Sequence, residues 1–123
     1  MGYTQTTGKH AEDLACQYLK QQGLRLLERN FTTRFGEIDL IMRDKDTTVF
    51  VEVRYRRHSG VVDPLSSVDQ RKQHKLIRTA QYYLQRRTDI SLSPARFDVV
   101  AITEHATQPD IQWIRNAFEA QGT

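Results

Sequence analysis

The residues most able to do chemistry are Asp39, Glu52 and Arg54, carried by Gly36-Glu37-Ile38-Asp39-Leu40-Ile41 and Val49-Phe50-Val51-Glu52-Val53-Arg54. Both segments read as strands. Side chains leave a strand on alternate faces, so Asp39 is expected opposite to Ile38 and Leu40, and Glu52 and Arg54 opposite to Val51 and Val53. The intervening Asp44-Lys45-Asp46-Thr47 is polar and suited to a turn. Pairing Arg43 with Thr48 then sets Asp39 directly across from Glu52 on one face. Like charges so placed repel and weaken a hairpin. A divalent cation held by oxygen ligands would neutralise them.

That chemistry suits phosphodiester hydrolysis, which needs a metal to activate water and to take up charge on the phosphate oxygens. Mg2+ or Mn2+ favours carboxylate and carbonyl oxygens, with water and the substrate phosphate completing the shell. Asp39 and Glu52 are the expected carboxylates, and the main-chain carbonyl of Val53 a third ligand. Arg54 stands about 6.5–7 Å beyond Glu52 along the strand, placed to meet the scissile phosphate or the attacking water. Glu12, mid-helix between Ala11 and Leu14, reaches the same site if its helix packs over the sheet.

A polyanionic substrate fits the charge distribution. Residues 54–87 hold 9 basic and 2 acidic side chains, whereas residues 1–53 hold 7 and 8, and residues 88–123 hold 2 and 5. Arg outnumbers Lys 13 to 5, and Arg is the better bidentate phosphate ligand. Arg56, Arg57, Arg71, Lys72, Lys75 and Arg78 are the candidate nucleic-acid contacts as a group. A solvated helix face would carry the same charges, and the adjacent acids are what favour function.

The elements that must position these groups follow from periodicity. Residues 7–22 form a helix with Ala11, Leu14, Ala15, Tyr18 and Leu19 on one stripe, capped by Thr6 or Thr7 and ended by Gly23. Residues 24–31 make a short strand, and 37–43 and 48–55 the hairpin. Residues 56–65, with Ser59-Gly60 and Asp63-Pro64, make a longer loop expected to move. Residues 67–86 form a second helix, capped by Ser66 or Ser67, with Val68, Leu76, Ile77, Ala80, Tyr83 and Leu84 towards the core. Strands at 96–102 and 111–115 complete the order α β β β α β β. The expectation is one α/β domain over residues 1–123, with a mixed sheet between helices.

The same residues carry a resemblance. Asp39, then Glu52-Val53-Arg54 on the next strand, is similar to the Asp…Glu-x-Lys core of the PD-(D/E)xK nuclease superfamily, whose fold is restriction-endonuclease-like. Over nearly the whole chain, the sequence looks like the YraN family of small bacterial proteins, themselves similar to archaeal Holliday-junction resolvases. The matching features are Gly8, Ala11-Glu12, Ala15, Tyr18-Leu19, Gly23, Arg29-Asn30, Gly36 to Ile41, Phe50 to Arg54, Lys72, Ala80, Leu84 and Arg96-Phe97-Asp98-Val99-Val100. The resemblance implies Asp39 and Glu52 as metal ligands and Glu12 as an additional acid. It also implies a metal-dependent endonuclease acting on DNA, including branched or junction DNA, and working as a homodimer. Arg54 stands where the superfamily has its catalytic Lys. Arg keeps the charge but does not readily serve as a general base: an electrostatic role would tolerate the change, whereas a proton-transfer role would leave catalysis weak or lost unless Lys72 substitutes. The alternative is a non-catalytic nucleic-acid-binding protein on the nuclease fold, and a third reading is a protein-interaction module.

Several residues invite blander readings. Asp98, in an apolar strand, is expected to bond structurally, and Glu37 to pair with an Arg. Trp113, Tyr82 and Tyr83 are expected to pack rather than stack on bases. His10, His58, His74 and His105 are scattered, and the lone Cys16 reads as a buried thiol. No run approaches a membrane span and no signal peptide is evident, so the expectation is a cytoplasmic protein without membrane contact.

Overall fold

The computed structural model describes residues 7–57, 68–105 and 107–119. Helix α1 spans Thr7–Gln21, followed by strands β1 (Arg25–Thr33), β2 (Gly36–Asp44) and β3 (Thr47–Arg56). Helix α2 (Gln70–Gln85) leads to β4 (Ala95–Thr103) and β5 (Asp110–Phe118). The element order is therefore the expected α β β β α β β. The five strands lie in one mixed sheet, in the spatial order β1-β2-β3-β4-β5. Only β3 and β4 run parallel, and the connection between them carries α2.

Each helix covers one face because each presents one apolar stripe. Ala11, Ala15, Cys16 and Leu19 of α1 pack with Leu40, Met42, Val49, Val51, Val100 and Ile102. Leu76, Ile77, Ala80 and Tyr83 of α2 pack on the other face with Ile41, Phe50, Phe97 and Val99. Alternation along the strands thus feeds both layers, which is why the central strands read as near-continuous apolar runs. Helix α1 ends as its sequence suggests. Gly23 takes a left-handed φ of 101°, and Leu24 N–H bonds back to the Leu19 carbonyl.

The second helix begins later than expected. Its N-cap is Asp69, whose side chain accepts from Lys72 N–H at 2.9 Å, rather than Ser66 or Ser67. Asp69 wins because its carboxylate reaches the third helical N–H and complements the positive helix end. Most of the 56–65 loop, His58, Thr6 and the two serines fall outside the described residues. The β2–β3 hairpin has the expected register, with Arg43 opposite Thr48. Their side chains also bond, Arg43 Nη1 donating to Thr48 Oγ1 at 2.8 Å.

Candidate active site

The hairpin departs from a regular ladder where its carboxylates begin. Pairing between β2 and β3 runs from Asp44–Thr47 to Leu40–Val51 and stops one position short of Asp39 and Glu52. The next inward donor on β3, Val53 N–H, meets the Asp39 side chain instead, at 2.8 Å from Oδ2. A second irregularity lies on the other side of Asp39. The β1–β2 register passes through Arg29–Leu40 and Phe31–Ile38, and between them Asn30 has φ 51°. Asn tolerates that left-handed conformation better than most residues.

The faces change there. Ile38 packs in the α2 layer, while Leu40, two residues on, packs in the α1 layer. A regular strand would put both on one face. Asp39 is therefore not on a plain alternating face, as expected from sequence, but at a twist in β2, with its carboxylate turned across the sheet towards β3.

Glu52 does follow the alternation. It projects towards α2, where its Oε2 accepts from Arg54 Nη1 at 2.7 Å and lies 3.2 Å from Lys72 Nζ. It is only 5% exposed. Both cations therefore stand on one oxygen of a buried carboxylate. Lys72 is in the first turn of α2, so the positive end of that helix also faces this region.

Asp39 has less support. Burial pushes its carboxyl up to about 7, and the negative charge of Glu52 adds to the effect. Glu12 and Glu37 contribute smaller repulsions, while the bond from Val53 N–H works the other way. The expected conflict of like charges is thus present, and Asp39 bears it.

Glu12 reaches the neighbourhood but is otherwise engaged. Its carboxylate accepts from Asn30 Nδ2 at 3.1 Å and stands 3.5 Å from Arg29 Nη2. Arg29 also pairs with Asp13 at 2.8 Å. This contact ties α1 to the kinked part of β1, opposite Asp39. Glu37 is exposed on β2.

Oxygen donors fit a hard divalent cation, and a carboxyl raised to about 7 by burial, and then by the charge of Glu52, is what such an ion would hold ionised. A strand residue directs its N–H and C=O to the same side, so the Val53 carbonyl points to the side on which Asp39 lies. Among the described residues, no group of three or more His, Cys, Asp or Glu side chains is gathered as a metal cage. The donor set fits the Mg2+ habit of few protein ligands, rather than an all-protein site.

The candidate phosphate contacts divide into two groups. Arg71, Lys72, Lys75 and Arg78 lie along α2, with Lys72 on Glu52 and Arg78 stacked on Phe35, 4.7 Å from the ring centre. Arg56 ends β3, Arg57 follows it exposed, and neither is part of the α2 row.

The profile of Uncharacterised protein family UPF0102 matches residues 11–102, which include all the acids and cations just described. The chain belongs to the UPF0102 family. A UPF0102 protein of Stutzerimonas stutzeri is 56% identical over 120 residues, covering 98% of this chain and all of that protein. UPF0102 proteins of Nitrosococcus oceani and Pseudomonas syringae are 49% and 50% identical, each aligned over more than nine-tenths of both chains.

Within this UPF0102 chain, three features were not foreseen from sequence. Asn30 supplies both the kink beside Asp39 and a bond to Glu12, and an Asn in a strand is the signal that could have revealed it. Arg29 is a partner of Glu12. Arg34 and Phe35 form the tip of the β1–β2 turn against α2. Among the described residues, no helix is long and apolar enough to cross a membrane.

Proposed function

We propose that this protein is a metal-dependent endonuclease that hydrolyses DNA phosphodiesters, with branched or junction DNA as the favoured form. The observation that carries the reading is the half-buried Asp39 beside the buried Glu52, with Arg54 and Lys72 both on Glu52. Asp39, Glu52 and the Val53 carbonyl would hold Mg2+ or Mn2+, which supplies water activation and neutralises charge on the phosphate. Arg54 offers a permanent charge and a planar fork for the phosphate oxygens. Lys72 has a proton it can give up or recover, which Arg54 lacks. We therefore assign electrostatic stabilisation to Arg54 and proton handling to Lys72. Glu12 acts through Asn30 and Arg29 to hold the kinked strand, rather than as a ligand. Paired cuts on a branched substrate would require two such sites, and hence a homodimer.

A second reading is binding without turnover. It is favoured by one contact: Glu52 already carries two cations, which would have to yield for a metal to bind. Cleavage of branched and single-stranded DNA with Mn2+, in wild type, Lys72→Arg and Arg54→Lys, separates the two. Turnover in the wild type, a loss of about 10²-fold or more in Lys72→Arg and a smaller loss in Arg54→Lys would support the assignment. Absence of any metal-dependent cleavage, with DNA binding retained, would leave the second reading.

A further inference from the structure

A groove runs between α2 and the β1–β2 turn. It encloses about 680 Å3 and is lined by Thr32, Thr33, Arg34, Phe35, Arg78, Gln81, Tyr82 and Gln85, without a single acid. Its floor is aromatic and its rim cationic. Arg34 and Arg78 stand over the Phe35 ring at 5.1 and 4.7 Å, and Arg86 stands over Tyr82 at 4.5 Å. The Phe35 and Tyr82 rings meet edge to face at 6.5 Å.

The platform is built on rigid parts. Thr33 pairs with Gly36, so Arg34 and Phe35 form a two-residue turn. Thr33 Oγ1 secures it by accepting from Phe35 N–H at 3.0 Å. The turn is pressed against α2, where a Cβ on Gly36 would lie 3.5 Å from Lys75 Cβ and 3.4 Å from Thr79 Oγ1. Along α2, Arg71, Lys75, Arg78 and Tyr82 recur at intervals of four, three and four residues, and so make one stripe. That stripe starts beside Lys72, which touches Glu52. From Lys72 to Tyr82 the helix rises about 15 Å, or roughly four to five steps of a stacked strand at about 3.4 Å each.

We infer that this groove binds an unpaired strand of nucleic acid, with a base stacked on the Phe35–Tyr82 platform and its phosphates on Arg34, Arg78 and Lys75. The inference rests on the nucleic-acid reading above and specifies its substrate as one with a single-stranded segment. Aromatic faces accept any base, and arginines follow the backbone, which is the pattern of single-strand binding without sequence preference. A blunt duplex hides its base faces and offers the platform nothing to stack.

Fluorescence anisotropy in the presence of chelator tests the groove apart from turnover. The probes are a single-stranded deoxyoligonucleotide, the same strand with abasic residues, and a blunt duplex. Wild type is expected to bind the intact strand about tenfold or more tightly than either other probe. Phe35→Leu should abolish that base dependence, and Phe35→Trp should retain it. Equal wild-type affinity for the intact and abasic strands, or an undiminished preference in Phe35→Leu, would overturn the inference. If Phe35→Leu does not fold, the exposed pair Arg34→Ala and Arg78→Ala replaces it. That variant should lose about tenfold in affinity and flatten the salt dependence by about two phosphate contacts, and unchanged binding would again overturn the inference. Cleavage with Mn2+ is read separately. Base preference without cleavage sinks the nuclease reading and keeps the groove, whereas cleavage without base preference does the reverse.

Discussion

Two aspartates in this sheet, Asp39 and Asp98, live by opposite rules. Asp98 on β4 is fully buried, yet its oxygens are well supplied. Oδ1 accepts from Arg96 Nε at 3.0 Å and from Asn116 N–H at 2.9 Å, and Oδ2 accepts from Trp113 Nε1 at 2.9 Å. Arg96 continues to Asp44 at 3.0 Å, tying the β2–β3 turn to β4. Asp39 is less buried and worse served, with one main-chain donor and three acids acting on it. Burial depth therefore does not distinguish the carboxylate proposed to hold a metal from the structural one. What separates the two is whether the surroundings satisfy the charge or oppose it, because a protein tolerates opposed charge chiefly where it is used.

Activity should separate the two aspartates most strongly. Asp39→Asn and Glu52→Gln should each reduce metal-dependent DNA cleavage by about 10²–10³-fold or more, the scale of losing one preorganised stabilising group. Asp39→Asn should do so without loss of fold, measured by urea denaturation. Asp98→Asn should behave in the opposite way. It leaves Arg96 with a weakened partner and takes an acceptor from three donors, and should cost about 3 kcal/mol of stability in the same assay. If Asp39→Asn proves the more destabilising of the two, the contrast fails.

A smaller effect concerns pH. The folded value of about 7 for Asp39 lies above its ordinary 3.8, so the folded state binds the extra proton. The associated stability is fully present below about pH 4 and is lost as pH rises through 7. The shift corresponds to an upper bound of about 4 kcal/mol, reduced by water near the half-buried group. Urea midpoints between pH 4 and 8 should fall with rising pH from this contribution, and Asp39→Asn should flatten the slope. A parallel slope in wild type and variant would remove Asp39 as the cause. The smallest signal is the proton itself. Binding Mn2+ at pH 6 should release about one proton, and none at pH 9, by calorimetry in buffers of different ionisation heat. Release at pH 9 would point to another group.

Much of this was legible in the chain. The hairpin register followed from Arg43 and Thr48, the end of α1 from Gly23, and the structural role of Asp98 from its place in an apolar strand. These depend on neighbours in sequence or on period-two alternation. The β2 twist broke that alternation, and the left-handed residue beside it, Asn30, lies across the ladder in β1. The meeting of Lys72 with Glu52 depends on how the β3–β4 connection lays α2 over the sheet. Neither spacing nor hydrophobic period encodes that distance. Tyr82 was expected to pack, and it does rest against Phe31, yet its other side lines the groove.

The parallel pairing of β3 with β4 also has a kinetic consequence. The β1–β2–β3 meander closes through short turns, whereas β4 reaches β3 only after α2 has been crossed. Contacts near in sequence form sooner than distant ones. Asp39 and Glu52 would thus be brought together early in folding, while Lys72 arrives with the later crossover. In that interval the meander holds two acids without the helix's cation, and the divalent ion proposed for the finished site would aid folding first.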